Sequence, residues 1–199
     1  MPLFARGVTA GVEVGLAGVT LVTVPGHGNA GPDHWQTLLE RAEPGTVRVQ
    51  QRSWTMPVRR QWVGGLERTL ARLPGEVVLI GHSLGAMTIV EWGLRSTAAP
   101  RVAGAVLVAP PDLDQRLPGM PPRWIVGLCG WRGVPMRPLP FRSVLIASTD
   151  DPFCSAARAE LFARAWGSVF ADLGPCGHIN TEAGFGPFPA LDPVIAMFR

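Results

Sequence analysis

The chain has 199 residues, 47% of them apolar and 17% charged, with a formal net charge of +3. That length fits one compact domain with ample material for a core, which excludes general disorder. All 18 basic residues are arginines scattered along the chain, unlike the concentrated basic face that tracks phosphates, so no nucleic-acid partner is expected. Cys129, Cys154 and Cys176 are odd in number and far apart, which excludes a disulfide framework or a paired-cysteine zinc site; neither metal nor cofactor is called for, and a reducing, cytoplasmic setting is expected. No run reaches 18 uncharged apolar residues and Glu13 interrupts the first stretch, so membrane insertion is not expected.

Residues 1–20 read as an N-terminal extension or an added strand. From there apolar runs alternate with helix-like stretches, the pattern of strands joined by helical crossovers into a mostly parallel sheet. The first strand is Leu21 to Val24, followed by a helix from Asp33, a possible cap, to Ala42. A second strand is expected over Val47 to Arg52 and a helix over Val58 to Leu73, whose apolar residues recur at helical spacing. Val77 to Ile80 is an uninterrupted β-branched run, as a strand covered on both faces requires, and Leu84 to Arg95 reads as a helix. Ala105 to Val108 repeats the strand pattern. Between Pro110 and Pro140 eight prolines break any regular element, so this is read as an insertion. Val144 to Ala147 and Val169 to Leu173 complete about six strands, with a helix over Ser155 to Trp166 between them and a terminal helical turn over Pro193 to Phe198.

Gly81-His82-Ser83-Leu84-Gly85 lies where the third strand meets its helix. A sharp strand-to-helix turn lifts a serine clear of the sheet's carboxyl end, and the flanking glycines remove Cβ atoms that would collide there. A hydroxyl is a poor nucleophile until a base takes its proton, so a histidine and an orienting acid are required later in the chain. His178, beyond the last strand, is the candidate base. Asp151 is the candidate acid; Asp150 is its immediate rival, Asp112 and Asp114 are remoter ones, and Asp150 or Asp151 could equally cap the next helix. Pro152 favours an extended backbone at Asp151. The Leu84 amide and that of Asn29, in Gly26-His27-Gly28-Asn29, are candidate oxyanion donors. His27, Trp35, Trp54 and His82 are candidate substrate-pocket residues, while Trp62 and Trp92 read better as core. Arg116, Arg123, Arg132, Arg137 and Arg142 border Trp124, Ile125, Val126 and Trp131; this could form a basic, apolar-faced flap favouring anionic substrates, or be solvated loop.

Ser83, Asp151 and His178 occur in the chain order of the α/β-hydrolases. With Ser53-Trp54, Pro57 and Trp62, Asp150-Asp151-Pro152-Phe153-Cys154-Ser155 and Gly177-His178-Ile179-Asn180, the chain from Leu21 to Pro189 resembles the small serine hydrolases of the retinoblastoma-binding protein 9 / YdeN family. The resemblance implies a single-domain, minimal α/β-hydrolase fold with helices on both faces of the sheet, no large cap domain, and Ser83, Asp151 and His178 as the triad. Small esters or amides are the implied substrates. The Leu-x-Cys-x-Glu pattern linked to retinoblastoma binding does not occur, so that partnership is not carried over. An acyltransferase is chemically close; a catalytically silent binding module is the reading from another class.

Overall fold

The computed structural model describes residues 18–119 and 129–199. Six strands form one sheet: β1 (Thr20–Val24), β2 (Val47–Arg48), β3 (Val77–His82), β4 (Val102–Val108), β5 (Ser143–Ala147) and β6 (Val169–Asp172). Their order is β2-β1-β3-β4-β5-β6 and every pairing is parallel. All six strands therefore end on one edge. The chain leaves β1 towards β2 and returns to place β3 on the other flank of β1, a reversal that opens a crevice above the ends of β1 and β3.

Successive strand residues point to opposite faces, and both faces are covered. Val22, Leu79, Leu107 and Leu145 pack in one apolar cluster with residues of α2 (Arg59–Leu70), α3 (Leu84–Gly93) and α4 (Ala156–Trp166). Leu21, Ile80, Val106 and Ile146 pack in the other with residues of α1 (Trp35–Ala42) and α5 (Leu191–Ala196). Two-sided burial is why the strands are continuous apolar runs without polar alternation.

Several boundaries differ from the sequence expectation. The cap of α1 is His34, whose Nδ1 accepts from the Gln36 N–H at 3.2 Å; Asp33 stands one residue too early. β2 is an edge strand with only two paired residues, Val47 and Arg48, opposite Val22 and Thr23 of its one neighbour, β1. α5 begins at Leu191, ahead of Pro193, since a proline in the first turn gives up an N–H that has no intrahelical acceptor there. The terminal turn is therefore two residues earlier than its proline implied.

The described parts of the 110–140 segment are irregular but tied down. Arg158 on α4 donates Nε to Asp112 Oδ2 at 2.7 Å and Nη2 to Asp114 Oδ2 at 2.7 Å. Trp131 Nε1 donates to Pro57 O, and Trp166 Nε1 to Pro135 O, each at 2.6 Å. Burial alone would raise the Asp112 carboxyl, but the hydrogen bonds from Arg158, the Asp114 N–H and Gln115, with the Arg158 charge, together outweigh it and hold the group below its usual range. Replacing Arg158 with Met is accordingly expected to destabilise the fold by roughly 3 kcal/mol, because it strands the buried Asp112 charge. The urea midpoint of unfolding reports it. Trp124, Ile125, Val126 and Arg123 of the expected flap, and residues 1–17, lie outside the described residues. No described helix is long and apolar enough to cross a membrane.

Candidate active site

β3 runs directly into Ser83, which holds φ 53° and ψ −125° before α3 begins at Leu84. A non-glycine residue in that region costs about 1–3 kcal/mol and persists only where its surroundings enforce it. The turn is enforced by close packing: a Cβ on Gly85 would lie 1.9 Å from the Val24 carbonyl oxygen, and one on Gly81 2.7 Å from Ala86 Cα. Ser83 occupies the cap position of α3 yet its hydroxyl bonds none of the helix amides, forgoing a contact typically worth about 1 kcal/mol. Its Oγ instead lies 2.9 Å from His178 Nε2.

His178 Nδ1 lies 3.0 and 2.9 Å from the two carboxylate oxygens of Asp151. A carboxylate only accepts, so the proton sits on Nδ1, and Nε2 presents a lone pair to Ser83. Asp151 Oδ1 also accepts from the Phe153 N–H at 2.9 Å, which fixes the carboxylate's rotation. Asp151 and His178 are 8% and 9% exposed, so water competes little for these contacts.

The other candidate carboxylates have different partners. Asp150 is exposed and turns to the histidine loop, where Oδ1 accepts from Ser148 Oγ and from the Gly177 N–H, both at 2.7 Å; these two donors hold its carboxyl below the usual range. Asp112 and Asp114 are engaged by Arg158. Helix α4 is capped by Ser155, whose Oγ accepts from the Arg158 N–H at 3.3 Å, so neither Asp150 nor Asp151 serves that purpose.

The main chain around His178 is held by side chains from separate elements. Cys176 N–H donates to Ser148 Oγ at 2.9 Å, Trp35 Nε1 donates to Ile179 O at 2.9 Å, and His82 Nε2 bonds the His178 carbonyl at 2.9 Å. Trp35 and His82 are thus buried beneath the site, and neither lines the adjoining cavity. Trp54 packs edge-on against Trp62, with centroids 5.8 Å apart, and is not on that cavity's described wall either. His27 is on it. The sequence marked these as large or polar residues near the site, but which way each faces depends on the packing of the element carrying it.

The cavity is about 540 Å³ and adjoins Ser83, Leu84 and His178, with Leu113, Leu117, Trp131 and Phe153 as apolar walls. Polar groups gather at His27, Asn180 and the exposed Glu182. Arg116, Arg132, Arg137 and Arg142 are not on its described wall. Arg132 lines a separate cavity with Arg59, Glu91 and Arg95; Arg137 donates to Leu94 O and Arg142 covers the Phe198 ring.

At the mouth, Leu84 N–H opens α3 and so has no intrahelical acceptor. The Asn29 amide donates to Gly26 O at 3.1 Å, closing a tight turn. It is therefore already spent, and the structure does not offer it to an oxyanion. The His27 N–H has no hydrogen-bond partner among the described residues. It follows Gly26, which approaches Ser83 so closely that a Cβ there would lie 2.9 Å from the serine's own Cβ. Among the described residues no group of three or more His, Cys, Asp and Glu side chains is placed to hold a metal ion.

His34, His82 and His178 form a row with ring centroids 4.9 and 5.0 Å apart. Burial lowers His34 from 6.5 to about 4, aided by the Arg48 charge, and lowers His82 well below 6.5. Both rings stay neutral in the folded chain while the unfolded chain binds protons, so stability falls as pH drops from 6.5 towards 4. His34 alone accounts for a loss of roughly 3 kcal/mol over that window. Urea unfolding at pH 7 and at about pH 4.5 should show the loss, and His34→Asn, which keeps an acceptor at the cap, should shrink it by about 2 kcal/mol.

Six parallel strands, a tight strand-to-helix turn at Ser83 after β3, and the Asp151 and His178 loops after β5 and β6 define an α/β-hydrolase fold. The family model described as serine hydrolase matches residues 21–197. The chain belongs to this serine hydrolase family, and its likeness to a YdeN-like hydrolase places it with the YdeN type. A Pectobacterium atrosepticum protein described as a YdeN-like hydrolase is 34% identical over 90% of both chains, with a TM-score of 0.78. The ydeN gene product of Bacillus subtilis is 17% identical over 91% of this chain and 98% of its own, at a TM-score of 0.73. The carboxylesterase CesB of B. subtilis shares the fold at 15% identity and a TM-score of 0.61, over 92% of this chain and 84% of its own. No significantly similar sequence is found among curated proteins.

Proposed function

We propose that this serine hydrolase cleaves a small carboxylic ester or amide through an acyl-enzyme on Ser83. The observation that carries the proposal is the unbroken line of contacts from Asp151 to His178 Nδ1 and from His178 Nε2 to Ser83 Oγ, all within 3.0 Å, beside an apolar cavity. Ser83 Oγ attacks the substrate carbonyl carbon as Nε2 takes its proton. Asp151 stabilises the resulting imidazolium, and the amide N–H groups of Leu84 and His27 donate to the tetrahedral oxyanion. His27 replaces Asn29 in that part.

Collapse of the tetrahedral species breaks the bond to the alcohol or amine, which leaves with the proton from Nε2. A water molecule then gives a proton to Nε2 and its oxygen to the acyl carbon; departure of Ser83 Oγ, reprotonated by His178, frees the carboxylic acid. The apolar walls at Leu113, Leu117, Trp131 and Phe153 favour an uncharged acyl group. The test is covalent capture: a fluorophosphonate should add to the folded protein at one site, and peptide mass spectrometry should find the adduct on Ser83. A folded protein that takes no probe, or takes it elsewhere, refutes the proposal.

A further inference from the structure

The residue before the nucleophile is tied to the loop that carries the base. In the sheet β3 and β6 are separated by β4 and β5, so no strand pairing fixes the end of one against the end of the other. Three strand spacings amount to about 14 Å, yet the reaction needs Ser83 Oγ and His178 Nε2 to stay within hydrogen-bond reach. The His82 ring meets the loop that carries His178: Nε2 lies 2.9 Å from the His178 carbonyl oxygen, and both residues are buried. A carbonyl oxygen only accepts, so His82 Nε2 is the donor.

The other restraints on this loop start elsewhere. Trp35 lies at the start of α1 and Ser148 and Asp150 follow β5. Only His82 is covalently adjacent to Ser83, so its bond makes the elbow and the base loop move as one. The burial that keeps the ring neutral also denies the His178 carbonyl a replacement donor from water if the imidazole is removed.

We propose that His82 is a positioning residue for acyl transfer, holding the His178 backbone at the height from which its imidazole reaches Ser83. The inference rests on the reading of Ser83 and His178 as nucleophile and base. His82 is not on the described cavity wall, so its loss should act on turnover and leave substrate binding alone.

The experiment compares His82→Leu, which deletes the donor, with His82→Gln, which can place an N–H near the Nε2 position. Competent sites are counted by titration to completion with a fluorophosphonate, and kcat per titrated site and KM are measured on a neutral ester. His82→Leu should lower kcat per site by about 10- to 100-fold, the scale of a misplacement near 1 Å, with KM unchanged; His82→Gln should recover most of the loss. Wild-type kcat per site in the Leu variant, with fewer titratable sites, would assign the bond to stability alone and overturn the proposal, as would a Gln variant as slow as Leu. Should the Leu chain not fold, His82→Met repeats the deletion in a more adaptable side chain; failure of both beside a fully active Gln variant also assigns the bond to stability and overturns it. A wild-type protein that neither labels nor turns over refutes the hydrolase chemistry itself, an outcome distinct from a reactive wild type with an indifferent His82.

Discussion

Asp151→Asn is expected to lower kcat by about four orders of magnitude while leaving the fold intact. The reason is the Phe153 N–H, which donates to Asp151 Oδ1 at 2.9 Å. An asparagine there keeps its carbonyl oxygen on Phe153 and turns its NH2 towards His178 Nδ1. That nitrogen must then accept, the ring proton moves to Nε2, and Ser83 faces a donor where it needs a base. Asp150→Asn is the matched comparison. Its Oδ1 contacts with Ser148 and Gly177 survive as an amide carbonyl, so the loss should stay within about tenfold. Steady-state rates on one ester, with circular dichroism to verify folding, decide between the two; equal losses would contradict the assignment of Asp151 as the acid.

Gly85→Ala is expected to cost at least about 3 kcal/mol and to abolish activity, the upper end of what overpacking a core does. A methyl group at Gly85 would meet the Val24 carbonyl oxygen at 1.9 Å and the Pro25 carbonyl oxygen at 2.7 Å. Both are backbone atoms of β1 and the loop after it, so no side chain can swing aside. Relief requires α3 to move away from β1, which carries Ser83 away from the His27 loop. Gly31→Ala is the control, since nothing lies within 4 Å of a Cβ there and its backbone is outside the positive-φ region. The thermal midpoint should fall by well over 5 °C for Gly85→Ala, given roughly 2–4 °C per kcal/mol at this size, and stay near the wild type for Gly31→Ala.

The strands were legible because each core strand is buried on both faces, which turns Val77–His82 and Ser143–Ala147 into apolar runs that no exposed element would tolerate. The elbow was legible because its constraint is local: a turn that tight between strand and helix needs glycines two residues to either side of the serine. Boundaries were legible only where a neighbour did not decide them. β2 keeps only the two residues that pair with Val22 and Thr23 of β1, a pairing recorded nowhere in the Val47 to Arg52 stretch.

Side-chain facing was the other thing hidden from a linear reading. Trp35 and His82 read as pocket residues for their type and their nearness to the elbow, yet both turn beneath the histidine loop. Asn29 read as an oxyanion donor because it sits in a glycine-rich loop, but the turn that loop adopts consumes its amide.

Residue types and their order in the chain therefore determined the class of fold and the candidates for a nucleophile and its two partners, because local sterics and two-sided burial write themselves into short stretches of sequence. The contact of Asp151 and not Asp150 with the His178 ring, the use of the Asn29 amide within its own turn and the undersite placement of Trp35 and His82 were decided by tertiary structure alone. The first and the last depend on hydrogen-bond direction between residues many positions apart, which is set only when the strand ends converge.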